Sequence, residues 1–145
     1  MSTSDEHDLN RFVEAQRSTY ERALAELRGG HKRSHWMWYV FPQLAGLGRS
    51  AMSERYAIAS LAEAEAYLRH PVLGPRLSEC ATAVLETDGR SAYEIFGSPD
   101  DLKLHSCATL FARASAPGSV FSKLLAKYFG GLEDVQTVRL LAAPR

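Results

Sequence analysis

Leu9, Phe12, Val13, Tyr20, Ala23, Leu24 and Leu27 recur at the three- and four-residue intervals that line one face of a helix. The spacing predicts a helix over Asp8–Arg28, with Asp8 as its cap and Gly29-Gly30 as its end. From His31 to Ser50 the pattern is dense and irregular. There Ser34 is expected to cap one or two turns through His35-Trp36-Met37-Trp38-Tyr39, stopped by Pro42.

Further on, start and stop signals carry the prediction. Ser60-Leu61-Ala62-Glu63 and Ser91-Ala92-Tyr93-Glu94 are capping boxes, the first for a helix to His70 and the second for a short one stopped by Gly97. Leu77, Ala81, Val84 and Leu85 mark the inward face of a helix over Gly74–Thr87. Ser98-Pro99-Asp100-Asp101 combines a hydroxyl cap, a proline and first-turn acids, and opens a helix to Arg113. Ser119 opens another to Phe129, and Asp134 caps a last one over Val135–Leu141. No segment alternates with period two between hairpin turns. The expected fold is all-α, a single domain over residues 1–145 built as an irregular array of about seven to eight short-to-medium helices, with residues 1–7 as a flexible N-terminal tail.

Composition sets bounds on function. Hydrophobic residues make up 46% and charged residues 23%, an ordinary globular balance that argues against a disordered chain. Seventeen basic side chains meet seventeen acidic ones, so no generic basic surface for coating nucleic acid is expected. The longest fully apolar run is the six residues Trp36–Phe41, far below the ~20 that span a bilayer. No basic-then-apolar leader pattern opens the chain, and Cys80 and Cys107 read as buried free thiols. A cytoplasmic location is expected, without a membrane partner, and no cofactor is expected.

Chemistry concentrates in Lys32–Gln43. Trp36 or Trp38 could stack on a flat ring while His35 or Gln43 bonds its edge, although aromatic residues are also the natural centre of a small core. Tryptophans two apart on a helix point to different sides, so one is expected in the core and the other beside a cleft. Lys32, His35, Trp36, Trp38, Gln43 and Lys103 are the candidate ligand-binding residues, and their aromatic and basic character suits a flat small-molecule anion such as a nucleotide or ADP-ribose derivative. Candidate catalytic residues are Asp101, four before His105 as an acid–base pair requires, and His35; Glu14 is a further carboxylate. His31 and His35 have the helical spacing of metal ligands but lack a third, so no metal site is expected. Gly46-Leu47-Gly48-Arg49-Ser50 could offer amides and a guanidinium to a phosphate, and reads more readily as a plain turn. Cys107 beside His105 is a poor nucleophile pair, because neighbours on a helix do not face one another. The alternative function is a non-enzymatic module that holds a protein through an exposed aromatic patch.

Several stretches taken together resemble a known family. They are Phe12-Val13-x-Ala15-Gln16, the run Gly30-x-Lys32-x-Ser34-His35-Trp36-Met37-Trp38-Tyr39-Val40-Phe41-Pro42-Gln43, and Gly46-Leu47-Gly48-x-Ser50. His70-Pro71-x-Leu73-Gly74-x-Arg76-Leu77 and Phe96-Gly97-x-Pro99-Asp100-Asp101-x-Lys103 continue the pattern. The chain resembles the bacterial domain-of-unknown-function family eighteen-ten over about Leu9–Leu141. That family is sometimes labelled calpastatin-like, although an inhibitor of that kind is a long disordered chain. The resemblance implies one mainly helical domain and supplies no activity or catalytic residue.

Overall fold

The computed structural model describes residues 5–143, which form helices joined by short turns. In chain order they are α1 (Asn10–Gln16), α2 (Tyr20–Arg28), α3 (Met37–Val40), α4 (Ala51–Arg55), α5 (Leu61–Arg69), α6 (Leu73–Leu85), α7 (Ala92–Phe96), α8 (Asp100–Arg113), α9 (Val120–Tyr128) and α10 (Val135–Ala142). The only extended pairing among the described residues is a single parallel bridge between Leu44 and Ile58. The fold is all-α, as the capping signals and apolar periodicity require.

There are ten helices among the described residues, more than the seven to eight expected, for two local reasons. The predicted Asp8–Arg28 helix is two helices. No apolar residue but Ala15 falls between Val13 and Tyr20, and there the Gln16 side chain turns into the core while Thr19 bonds back to the Ala15 carbonyl at 3.0 Å. The Gln16 amide donates to the Tyr39 carbonyl at 2.7 Å and to the Tyr67 hydroxyl at 3.2 Å, and Arg76 donates to its oxygen at 3.3 Å. The second extra element is α4, which buries only Ser53 and so has no stripe to read.

The caps show the same division. Ser91–Glu94 forms a complete capping box, and Ser60, Ser119 and Asp134 each accept a bond from the third helical amide. Asp8 does not cap α1. It has a positive φ of 50°, and the Asp5 carboxylate takes the Leu9 and Asn10 amides at 2.7 and 2.9 Å instead. Residues 1–4 of the expected tail lie outside the described residues. Nor does Ser98 cap α8, whose first turn follows Pro99 directly. The Ser98–Pro99 peptide is cis.

Helix α8 is the axis of the fold. Leu104, Ser106, Cys107, Ala108, Thr109, Leu110 and Phe111 are all buried, so its middle faces protein on every side. It packs against α5, α7, α9 and α10, while α6 ties α2, α5 and α9 together. Phe111 meets Tyr67 at 5.4 Å and Phe121 at 5.6 Å between ring centres, and Phe12 joins through Tyr67 at 5.1 Å. The one deeply held ion pair near α1 is Arg11–Glu63 at 2.9 Å, and Arg11 also donates to the carbonyls of His7, Asp8, Arg55 and Ala57. With its charge and its donors satisfied, that pair is an anchor rather than a site.

Candidate functional site

The aromatic segment is shaped by a carboxylate the sequence reading did not single out. Glu26 sits in the last turn of α2, and the Gly29-Gly30 turn sends the chain back past it; Gly30 takes a φ of +78°, a left-handed value that favours glycine. Glu26 then accepts from the Arg33 amide at 2.8 Å, the Ser34 amide at 3.0 Å, the Ser34 hydroxyl and the Trp36 indole N–H at 2.9 Å. Burial pushes its carboxyl up, but the bonds donated by Ser34, Arg33 and Trp36 outweigh burial and hold it at about 2. Ser34 is therefore a partner of Glu26 and caps nothing. The Lys32 amide meanwhile donates to the Ile95 carbonyl at 2.8 Å, fixing the strip to the end of α7.

The two tryptophans part company here. Trp36 is 1% exposed and packs on Phe41, which packs on Phe96. Trp38 is half-buried and forms one wall of a surface cleft. A chain of charges joins the two indoles. The Lys32 ammonium lies 4.9 Å from the Trp36 ring centre and 2.8 Å from one Asp100 oxygen. The other Asp100 oxygen is 3.1 Å from the Lys103 ammonium, which lies 3.6 Å from the Trp38 ring centre. The Lys32 side chain is only 7% exposed, Lys103 17% and Asp100 18%. Burial raises the Asp100 carboxyl, but Lys32 first and Lys103 second outweigh it and hold it below its usual range. The folded core thus brings together Lys32 and Lys103, distant in the chain, through an aspartate read from sequence as a helix-dipole acid.

The cleft encloses about 330 Å³ between α3, the Gln43–Gly48 turn and the starts of α8 and α10. Trp38, Gln43, Lys103, Ser106, Asp134 and Gln136 all line it. Gly48 closes one end: a Cβ there would fall 2.7 Å from the Ser53 Cβ, so only glycine lets this turn lie against α4. Larger clefts of about 540 and 500 Å³ lie beside the N-terminal segment and along α6, but neither is lined by a Trp, Tyr or Phe.

Other candidates lie elsewhere. His35 and His31 are exposed and outside the cleft. Asp101 accepts from the Leu102 amide, while His105 stacks on Phe129 at 4.2 Å and bonds the Leu132 carbonyl at 2.8 Å. Glu14 pairs with Arg17 at the surface. Burial pushes the Cys80 thiol up to about 12 and Cys107 well above its ordinary value, which removes the thiolate a nucleophile needs. Among the described residues no three His, Cys, Asp or Glu side chains gather as a metal would require, and no helix is long and apolar enough to cross a membrane. Ser106, Asp134 and Gln136 were missed. Asp134 carried only a capping signal, and nothing local says that its helix start opens onto α8.

The family model described as a protein of unknown function, DUF1810, matches residues 6–141. The chain is also similar to the crystal structure of the conserved hypothetical protein Rv1873 from Mycobacterium tuberculosis. Identity is 58%, the match covers 97% of this chain and 100% of that one, and the TM-score is 0.94. No curated protein matches the chain.

Proposed function

The chain belongs to the DUF1810 family of proteins of unknown function, and on that footing we propose that it binds a small, ring-bearing anion in the Trp38–Lys103 cleft. The observation that carries this reading is the Lys103 ammonium held 3.6 Å from the Trp38 ring centre at the wall of an open cleft. A cation fixed beside an aromatic plane offers one group for an anion and one for a ring. Lys103 can also turn to a ligand at low cost. Asp100 keeps Lys32 at 2.8 Å, so no carboxylate is stranded when Lys103 changes partner. Binding is favoured over catalysis, since Asp101 and His105, the acid–base pair expected from spacing, are engaged separately and lie outside the cleft lining.

The test is a melting-temperature screen against nucleotides and related ring anions, since a ligand that binds only the folded chain raises the midpoint. Any hit is then titrated against Lys103→Met and Lys32→Met. Lys103→Met should cost about 1.5–3 kcal/mol of affinity, the worth of a hydrogen bond to a charged group. Unchanged affinity in both variants, or a loss reproduced in the wild type by a chelator, would end the proposal.

A second reading has its own observation. Leu102 and Val135 are 60% exposed and Leu132 70% exposed, all near the junction of α8 and α10. Apolar side chains left in water there suit a protein partner. It predicts that Leu132→Ser, outside the cleft lining, abolishes a protein complex while leaving every small-molecule titration unchanged.

A further inference from the structure

The charge and size of the same cleft narrow its ligand, an inference that rests on the reading above. One ammonium group, Lys103, and one carboxylate, Asp134, line the cleft, while Asp100 pairs with Lys103 and with Lys32 outside that lining. Lys103 and Ser106 are one turn apart on one face of α8, and the Ser106 hydroxyl lies 3.3 Å from an Asp134 oxygen. Cation and carboxylate therefore border the same short stretch of cleft. One Asp134 oxygen is taken by the Thr137 amide at 3.0 Å, the Thr137 hydroxyl at 2.6 Å and Ser106. Its other oxygen accepts no hydrogen bond among the described residues, and the Gln43 and Gln136 side-chain amides have no partner there either.

We infer that the cleft takes a nucleoside carrying a single phosphate, with the phosphate on Lys103 and an N–H edge of the base on Asp134, and that it disfavours polyphosphates. One ring and one charged group suit about 330 Å³, near the lower end of the roughly 300–1,000 Å³ typical of small-molecule sites. The first phosphate meets a cation that can leave Asp100. A second and third would meet no further cation in the cleft, and the Asp134 carboxylate that lines it repels the added negative charge. The two glutamine amides can donate to or accept from a base edge, and the Trp38 indole supplies its flat wall.

The experiment is calorimetric titration of the full chain, without divalent cations, using each of the four common bases as nucleoside, monophosphate and triphosphate. At least one monophosphate is expected to bind about threefold or more tighter than both its nucleoside and its triphosphate. Asp134→Asn, which keeps a capping side chain, should narrow the gap between monophosphate and triphosphate by a similar factor. Triphosphates binding as tightly as monophosphates to the wild type would overturn this inference while leaving the reading of the cleft intact. So would an unchanged ratio in Asp134→Asn. Binding that is unaltered in both Trp38→Phe and Lys103→Met overturns the reading of the cleft as well, as does the absence of binding by every member of the series.

Discussion

Trp36 and Trp38 are two residues apart, each beside a lysine ammonium, yet they belong to different kinds of region. Around Trp36 every polar demand is met within the fold: its indole N–H reaches Glu26, Lys32 reaches Asp100, and the ring is 1% exposed. Around Trp38 the demands are left open. Its indole N–H has no partner among the described residues, and the amides of Gln43 and Gln136 line the same cleft unbonded. Both regions are aromatic and charged, so composition does not separate them. Saturation of hydrogen bonds does. A buried group must be satisfied by the protein itself, whereas a group satisfied only by water is free to be satisfied by a ligand.

The contrast breaks if the two tryptophans respond alike to truncation. Trp36→Ala should cost about 3–5 kcal/mol in urea unfolding, from lost burial plus a cavity. Trp38→Ala, half-buried, should cost about 1–2 kcal/mol. Equal losses at both would dissolve the distinction.

Acid should act on the saturated region through Glu26. The Glu26 carboxyl sits at about 2 in the folded chain against its ordinary 4.5. A depressed carboxyl stabilises fully above the unfolded value and loses that contribution as pH falls toward the folded one. Its contribution is of order 2 kcal/mol, discounted for partial exposure. Stability should therefore fall between pH 4.5 and about 2, and Glu26→Gln should flatten that part of the curve while lowering the plateau above it. A wild-type profile that Glu26→Gln leaves unchanged would show that the clamp carries no charge-dependent stability.

The two lysines sharpen the comparison further. Lys32 is 7% exposed and also bonds the Ser34 carbonyl, so Lys32→Met should cost about 1–3 kcal/mol of stability. Lys103→Met should cost less than about 1 kcal/mol, because Lys32 keeps Asp100 paired. Thermal unfolding of both variants decides the order, and a larger loss for Lys103 would place it with the structural set. The smallest effect is expected at Gln43→Ala and Gln136→Ala, each within about 0.5 kcal/mol of wild type by urea unfolding. A larger loss at either would mean that its amide is part of the scaffold.

Residues whose partners lie within one or two turns could be read from the chain. Ser60, Ser91, Ser119 and Asp134 cap the helices that their sequence signals announce, and the stripe from Tyr20 to Leu27 is buried as its spacing requires. The break between α1 and α2 was legible only as a gap in apolar residues, because its cause, Gln16 reaching Tyr39 and Tyr67, spans 23 and 51 positions. Trp38, Gln43 and Lys103 were candidates on chemistry alone, and Trp36 looked identical to Trp38.

The sequence by itself determined an all-α chain, most helix starts, the apolar faces and the aromatic-basic character of residues 32–43. These follow from short-range sterics, capping bonds and periodic burial, which depend on neighbours in the chain. Only the tertiary structure decided that Glu26 would clamp Ser34 and Trp36, that Asp100 would join Lys32 to Lys103, and that the start of α10 would bring Asp134 and Gln136 to the cleft that Trp38 lines. Those pairings join residues on separate elements, and they exist because packing around α8 fixes where each helix begins. No local pattern encodes that distance.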